Sequence, residues 1–535
     1  MANKKQSFFQ RLTKRQWSYF YAGIVFTVAQ IIYIFTIWAD KVATGKVPSL
    51  SPIAVTTDLG KMFRTLEVFI NSLFGFHSEL YGNYTVINGQ YISDTTGVFF
   101  PGIGWPIVGM ILGGFIVTVM EKESRAWAYY SKKALLVSLI GGAFFSYGTR
   151  LAGGCTLTHL MGGVPNMGIR STGSIIFMAL GGATGFLVME KLGLANYFKH
   201  QETFSYVSNA DAGEQATYKK GYSWKKNPAF WVGLLFSVLF IGAAIWGAFG
   251  NPTSLQHIDP ITGTLADYGG GPSDKGWLFV ILTLLAGTVA GIGLGKSGFG
   301  TECALVSVEV AGSMTKDDKK FAKMGVPKIT RTLMRSYNPI IGVTTSWILL
   351  TAFFLLMWVG TGVSPELGAG IKKGLTAGNF IGGFSLGLGA VTLIGCEIRS
   401  YMRIGMGYLN TMIGFIGFAI GYLPYTLFPD AHKAFLKKTM IFGEGGALGE
   451  SKEWYSLISD NPGMQQFIML LWLQGLILIW VYFVKKGSKN VGVTTNDLLH
   501  KNTEDIQVTI EEIASGSDEI NGVSVPSSVP HESLV

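Results

Sequence analysis

The chain has little charge and few cysteines. Only 14% of its 535 residues are charged, against about 25% in an average soluble domain. Its three cysteines are far apart and include no CxxC pair, so the sequence carries neither a disulfide framework nor a paired-thiol redox motif. It also has no GxxxxGK[ST] segment, which argues against transport driven by ATP bound to this chain.

Apolar residues make up 48% of the chain, and they recur in runs long enough to cross a hydrocarbon layer roughly 30 Å thick. The 71 glycines suit close contact between membrane helices. We therefore predict an all-α polytopic membrane protein in a lipid bilayer. The predicted spans, about ten, are 18–38, 101–120, 134–170 (broken), 172–190, 229–249, 277–295, 339–359, 375–407 (broken), 408–428 and 464–484.

Basic residues give the predicted orientation. The net charge of +9 is spread over short segments beside the spans, which is typical of cytoplasmic loops and argues against nucleic acid as a partner. With the N-terminus inside, the inner segments hold more than twice as many Lys and Arg as the outer ones. This predicts a multi-pass protein of the bacterial inner (cytoplasmic) membrane with both termini cytoplasmic. The exception is 429–463, which carries several lysines on the outer side.

The same pattern divides the chain into five parts. The two membrane halves are joined by a polar linker, and the last part is rich in Ser, Glu and Asp, a composition that predicts disorder. The parts are a basic cytoplasmic N-terminus (1–17), a first transmembrane half (18–190), a cytoplasmic linker (191–228), a second transmembrane half (229–484) and a disordered acidic cytoplasmic tail (485–535).

An internal repeat relates the two halves. When Cys155 is aligned with Cys396, the glycines of the two broken spans coincide. The cysteines fall in spans three and eight, and an odd offset of spans means that the second copy is inverted across the membrane. Inverted repeats with Gly-broken helices are typical of transporters. The coinciding glycines are Gly141 with Gly382, Gly148 with Gly389, and Gly154 with Gly395.

All three cysteines, Cys155, Cys303 and Cys396, lie in Gly-flanked breaks of apolar spans. A lone cysteine is more often a buried small hydrophobic residue. Because all three cysteines occupy the same kind of break, we favour a common functional role for them. A protonated thiol is a weak donor with a soft sulfur, which suits the terminal sulfur of thiosulfate. Helix N-termini at the breaks, beside Gly154 and Gly395, would supply amide donors to the oxygens.

Charged residues also occur within the spans, where they are costly and usually face a pathway. One interpretation is that they snorkel or pair with Glu302 and Glu397; the other is an electropositive path for an anion. His159, four residues after Cys155, would share its helical face, and we expect it to contact the anion. The basic residues in the spans or their breaks are Arg150, Arg170, Lys296, Arg399 and Arg403, and those that we expect to contact the anion are Arg150, Arg399 and Arg403.

Three segments carry a family resemblance: RLAGGCTLTHLMGG (150–163), SGFGTEC (297–303) and GCEIR (395–399). They resemble the YeeE/YedE family of bacterial membrane proteins, which includes thiosulfate transporters. The resemblance covers about 100–425 and implies an hourglass of inverted repeats, re-entrant helices, and cysteines that pass thiosulfate through a constriction. Some relatives have a further cysteine in the first half, where this chain has Met62. The segment 58–76 around it is a candidate re-entrant element.

These observations together predict an importer of thiosulfate or a related small sulfur anion, with no catalytic residue, cofactor or metal. A small cytoplasmic sulfur-carrier protein is a possible recipient. Sulfite and selenium oxyanions are alternative substrates. Two other classes stay open: a membrane partner or scaffold of a sulfur- or selenium-handling enzyme, and a membrane thiol oxidoreductase.

Overall fold

The structure of the protein is a computed structural model. The residues that it describes are 17–93 (without 77, 83 and 89), 104–121, 132–192, 256–258, 265–267, 272–297, 328–365 and 374–514 (without 394), together with a few isolated positions at 234–246 and 319.

The described part of the first half is helical except for one hairpin. Its helices are α1 (Tyr19–Ala43), α2 (Val55–Phe74), α3 (Trp105–Glu121), α4 (Lys132–Ala152), a π-helix (Thr158–Gly163) and α5 (Ile169–Lys191); the hairpin is β1 (Tyr84–Ile87) with β2 (Gln90–Ser93).

The rest of the described chain is also mostly helical. Its strands are β3 (Gln256–Ile258), β4 (Leu265–Asp267), β5 (Leu375–Thr376) and β6 (Met440–Phe442). Its helices are α6 (Pro272–Ser297), α7 (Lys328–Arg335), α8 (Asn338–Thr361), α9 (Ala377–Leu393), α10 (Glu397–Met406), α11 (Leu409–Leu427), α12 (Pro429–Lys438), α13 (Pro462–Val491), α14 (Thr495–His500) and α15 (Thr503–Ala514).

Long apolar helices confirm an all-α polytopic membrane protein. Seven spans of the described chain are long and apolar enough to cross a membrane, with α9 and α10 counted together as one. Helix α11 with α12, bent by 77°, can count as an eighth. Helix α3 contributes a shorter apolar segment, Trp105–Val117. Both spans that were predicted to be broken are broken, after Ala152 and after Leu393. The predicted span 229–249 lies largely outside the described residues.

The inverted repeat is visible where α4 crosses α9. A Cβ on Gly148 would lie 2.8 Å from the carbonyl oxygen of Gly382, and one on Gly389 would lie 2.6 Å from that of Gly141. Gly148 corresponds to Gly389, and Gly141 corresponds to Gly382, so the same contact is made twice. A reciprocal contact of this kind is the mark of a two-fold axis. Only glycine leaves room for the two backbones to approach so closely.

The helix neighbours repeat the same symmetry. Helix α4 packs on α11, as its equivalent α9 packs on α5. Helix α3 packs on α6, and the corresponding pair is α8 on α1. The two halves therefore form one interlocked body in the described part of the chain, with the breaks of α4 and α9 near their common axis.

Segments that were predicted to share a side of the membrane contact one another. Strand β2, in the first outer loop, pairs with β3, in another outer loop. Strand β5 pairs with β6, which places 440–442 with the outer segments. At the other end, the Tyr21 hydroxyl lies 2.6 Å from His500 Nδ1. The start of α1 and the C-terminal helices therefore lie at one face; that this face is cytoplasmic stays a prediction.

The C-terminal segment differs from its prediction. We expected disorder from 485 onward, but α13 continues to Val491, and α14 and α15 follow. Leu498 and Ile506 are at most 1% exposed, and α15 packs on α7. This segment is polar overall, but it has a narrow apolar face through which its two short helices pack on the rest of the protein. The prediction of disorder is therefore wrong for 485–514, and 515–535 lie outside the described residues.

Candidate functional site

The first break follows α4. Gly153 has a positive φ of 69°, a left-handed conformation that glycine adopts without a Cβ clash. The Gly154 amide donates to the Thr149 carbonyl at 2.9 Å. The His159 amide donates to the Cys155 carbonyl at 3.1 Å, so a new helical turn begins at the cysteine. Cys155 thus stands at the N-terminus of the helical segment that includes the π-helix.

The second break, after α9, has the same construction. The Gly395 amide donates to the Ala390 carbonyl at 2.9 Å, and the Ser400 amide donates to the Cys396 carbonyl at 2.9 Å. Cys396 is the residue before the first turn of α10. The two cysteines thus occupy equivalent positions at two helix N-termini, where unpaired amides favour a negative ligand.

The two breaks meet across the symmetry axis. The Cys155 thiol is fully buried and lies 3.4 Å from the Thr158 hydroxyl. It also lies beside the hydroxyl of Thr56 and the carboxyl of Glu397. Glu397 directly follows Cys396, so the structure joins the first break to the residue next to the second cysteine.

Glu397 is held by its own helix on one side only. Tyr401, one turn later, donates its hydroxyl to Glu397 Oε1 at 2.9 Å. Glu397 Oε2 has no well-formed hydrogen bond in the described part of the chain, and the same is true of Thr56 Oγ1. A buried polar atom without a partner costs about 1–3 kcal/mol. The site therefore keeps hydrogen-bonding capacity for a ligand.

His159 and Arg170 form hydrogen bonds that fix the first break. His159 Nδ1 lies 3.1 Å from the Ser171 hydroxyl, and Arg170 donates to the carbonyl of Gly153. Both contacts tie the turn to the start of α5. That His159 contacts the anion stays a prediction. Its Nδ1 is bonded to Ser171, and its Nε2 is buried without a hydrogen bond in the described part of the chain.

The arginines predicted to attract an anion lie against aromatic rings. The Arg150 guanidinium is 4.6 Å from the ring centroid of Tyr425 and 5.0 Å from that of Tyr422. Arg403 is 4% exposed and 5.5 Å from the ring of Tyr408. Cation–π contacts of this kind stabilise a charge without neutralising it. Both guanidinium groups therefore lie against aromatic rings inside the membrane domain.

The remaining predicted site residues are placed as follows. Cys396 is fully buried, and Arg399 is half-buried. A Cβ on Gly395 would lie 3.6 Å from Arg403 Nη1, so this guanidinium lies against the second break. A Cβ on Gly154 would lie 2.7 Å from Thr158. Cys303 lies outside the described residues.

Helix α2 supplies a part of the site that the sequence analysis missed. Thr56 lies beside Cys155, and Asp58 approaches Glu397. Hydropathy placed this segment in a loop because its polar and charged residues are almost as numerous as its apolar ones. Several buried polar residues on a 20-residue amphipathic helix were the available signal. Met62, at 5% exposure, packs in the apolar core.

These features define a polytopic membrane protein with two inverted halves and a polar site at their shared breaks. Residues 1–184 match the family model described as sulphur transport, which is the YeeE/YedE family. The family resemblance is thereby confirmed over the part that contains Cys155. The match ends before Cys303 and Cys396. The internal repeat aligns Cys396 with Cys155, which lies inside the matched part. A comparison with curated proteins found no match.

Proposed function

We propose that this protein carries thiosulfate across the membrane as an intact anion, through a constriction formed where the two breaks meet. A sulphur transport domain in a multi-pass membrane protein supports a sulfur-related transporter. The observation that carries the finer proposal is the pair of equivalent cysteines at two helix N-termini, with Cys155 beside Glu397.

The chemistry of the anion matches this arrangement. Thiosulfate has three oxygens that accept hydrogen bonds and one soft terminal sulfur. Amides at the two helix starts suit the oxygens, and the thiols offer weak donors and soft contacts to the sulfur. Weak contacts in succession favour passage because a tight site would retain the ion.

Burial argues for hydrogen-bonding thiols instead of redox-active ones. Cys155 and Cys396 are both 0% exposed and are not joined in a disulfide. A membrane thiol oxidoreductase needs an accessible, activated thiol with a resolving partner. We therefore place the cysteines in a transport path. Transfer of the anion to a small cytoplasmic sulfur-carrier protein stays a prediction.

The test is growth of a sulfur-auxotrophic bacterium that lacks its own uptake systems and expresses the chain. We expect growth on thiosulfate and its loss in the Cys155→Ala and Cys396→Ala variants. Sulfite and sulfate in parallel cultures identify the anion. The Met62→Leu variant is the control, since it replaces a buried sulfur in the apolar core and should grow normally.

Two outcomes contradict the proposal. Growth on thiosulfate that is independent of both cysteines would leave them as packing residues. A persulfide found on Cys155 during turnover would mean covalent sulfur transfer and an enzymatic role. If the wild-type chain supports no growth on any of the anions, the scaffold alternative for a sulfur- or selenium-handling enzyme becomes the better description.

A further inference from the structure

Helix α10 begins with a buried carboxyl group that forms no ion pair with a described residue. Glu397 is 0% exposed. One oxygen accepts the Tyr401 hydroxyl, the Cys155 thiol lies beside the group, and Oε2 lacks a well-formed hydrogen bond among the described atoms. Burial of an ionised carboxylate in such surroundings costs far more than burial of the neutral acid. The position therefore favours a protonated carboxyl.

Glu67 in α2 shows how the same chain buries a carboxyl with a full set of donors. Its Oε1 accepts the Leu80 amide and the Ser78 hydroxyl, and its Oε2 accepts the Tyr81 amide at 3.0 Å. Glu67 is 8% exposed, similar to Glu397. Hydrogen bonds from three donors favour the charged form of a carboxyl group. Glu397 has only the Tyr401 hydroxyl and the weakly donating Cys155 thiol, so its charged form is less well satisfied than that of Glu67.

Among the residues that the structure describes, the neighbours of Glu397 do not supply a directly paired positive charge. The titratable groups that face it are the Cys155 thiol, the Tyr401 and Tyr422 phenols, and the Asp58 carboxyl. Asp58 is itself paired with Lys61 at 3.5 Å. The four groups that face Glu397 are neutral or negative. Lys61, which is positive, is paired with Asp58.

The arginines near Glu397 in the sequence do not share its face of the helix. Arg399 and Arg403 follow it by two and six residues, which places them on other faces of α10. Arg150 lies over the ring of Tyr422, 5.0 Å from its centroid. Among the described contacts no arginine is paired with Glu397, so the buried carboxyl can lose its charge by binding a proton.

An ionised Glu397 and a substrate anion would compete for the same place. Glu397 is the first residue of α10, where unpaired amides attract negative charge. With the proton bound, the carboxyl no longer competes and becomes a donor to the anion. We infer that Glu397 binds a proton that accompanies the sulfur anion through the constriction, so that protonation and anion binding strengthen each other.

This inference rests on the proposed function and adds its energy coupling. The proton binds to Glu397 from the outer side together with the anion, and both leave on the inner side. The proton forms and breaks only the O–H bond of the carboxyl, and no bond of the anion changes. At least one proton therefore crosses with each anion, and an inside-alkaline gradient drives uptake.

The test uses the purified full-length chain in proteoliposomes, with labelled thiosulfate and the membrane potential clamped. We expect wild-type protein to concentrate thiosulfate under an inside-alkaline gradient, by about tenfold per pH unit for one proton per anion, and a protonophore to abolish this. The Glu397→Gln variant should equilibrate thiosulfate without concentrating it, because its side chain stays neutral.

Controls separate this inference from the proposed function. Glu67→Gln should retain the response to the gradient. Wild-type protein that equilibrates thiosulfate but ignores the gradient, or a Glu397→Gln variant that still responds to it, overturns the proton-coupling role alone. Absence of any thiosulfate uptake by the wild type overturns the proposed function. If Glu397→Gln does not fold, proton uptake upon addition of thiosulfate to wild-type protein in weak buffer decides, and no uptake refutes the inference.

Discussion

The contact between α4 and α9 gives the sharpest prediction about the fold. A Cβ at Gly148 would lie 2.8 Å from the Gly382 carbonyl oxygen and 2.8 Å from the Leu386 nitrogen. Ordinary contacts of a Cβ begin near 3.4 Å, so Gly148→Ala forces the helices apart by several tenths of an ångström. Overpacking of this kind costs typically about 1–3 kcal/mol.

Helix propensity acts in the opposite direction, because alanine favours a helix over glycine by up to about 1 kcal/mol. Gly475 in α13 provides the control, since a Cβ there would meet nothing within 4 Å. The propensity gain is common to Gly148→Ala and Gly475→Ala. The difference in unfolding free energy between the two variants therefore isolates the packing cost, which we expect at about 1–3 kcal/mol.

The assay is unfolding of each purified variant in mixed micelles, followed by tryptophan fluorescence. The symmetry adds a second requirement, since Gly389→Ala perturbs the equivalent contact, 2.6 Å from the Gly141 oxygen. It should cost as much as Gly148→Ala. Equal stability of Gly148→Ala and Gly475→Ala would refute the close packing, and a loss in only one of the two equivalent variants would refute the symmetry.

Three further predictions concern the site and the topology. Cys155→Ser should reduce thiosulfate uptake nearly as much as Cys155→Ala, because a hydroxyl keeps a donor but loses the soft sulfur; full uptake by the serine variant would contradict this. Arg399→Gln should lower uptake more than neutralisation of the exposed Lys433, and equal initial rates would make Arg399 structural. A reporter fused after Ala514 should be active in the cytoplasm; a periplasmic signal would reverse the orientation.

Sequence reasoning predicted the elements whose signals are local. The broken spans follow from the glycines beside Cys155 and Cys396, and the inverted repeat follows from aligning those cysteines. Both features are visible in the structure, where each cysteine starts a helix after a hydrogen bond between residues five apart. Glycines within one apolar run are enough to predict a broken helix, because glycine permits the backbone conformation of a turn.

Other features depend on contacts between distant segments. Helix α2 was expected only as a candidate re-entrant segment, since its buried polar residues, Thr56 and Asp58 among them, read as loop composition. Ile506 is buried although the tail around it is polar. In both cases the partner surface that makes the helix stable lies far away in the sequence, and a hydropathy window does not contain it.

The different roles of the polar groups could not be predicted from the sequence either. From the sequence alone, every charged residue near a cysteine was an equal candidate. Arg170 donates to the Gly153 carbonyl, and His159 is joined to Ser171, so these two hold the break in shape. In the described part of the chain, hydrogen-bonding capacity is left over at Thr56 and Glu397, beside Cys155, and at His159 Nε2. An anion path needs both kinds of group, because rigid breaks keep the helix N-termini aimed at the ion while unfilled donors and acceptors bind it weakly enough to let it leave.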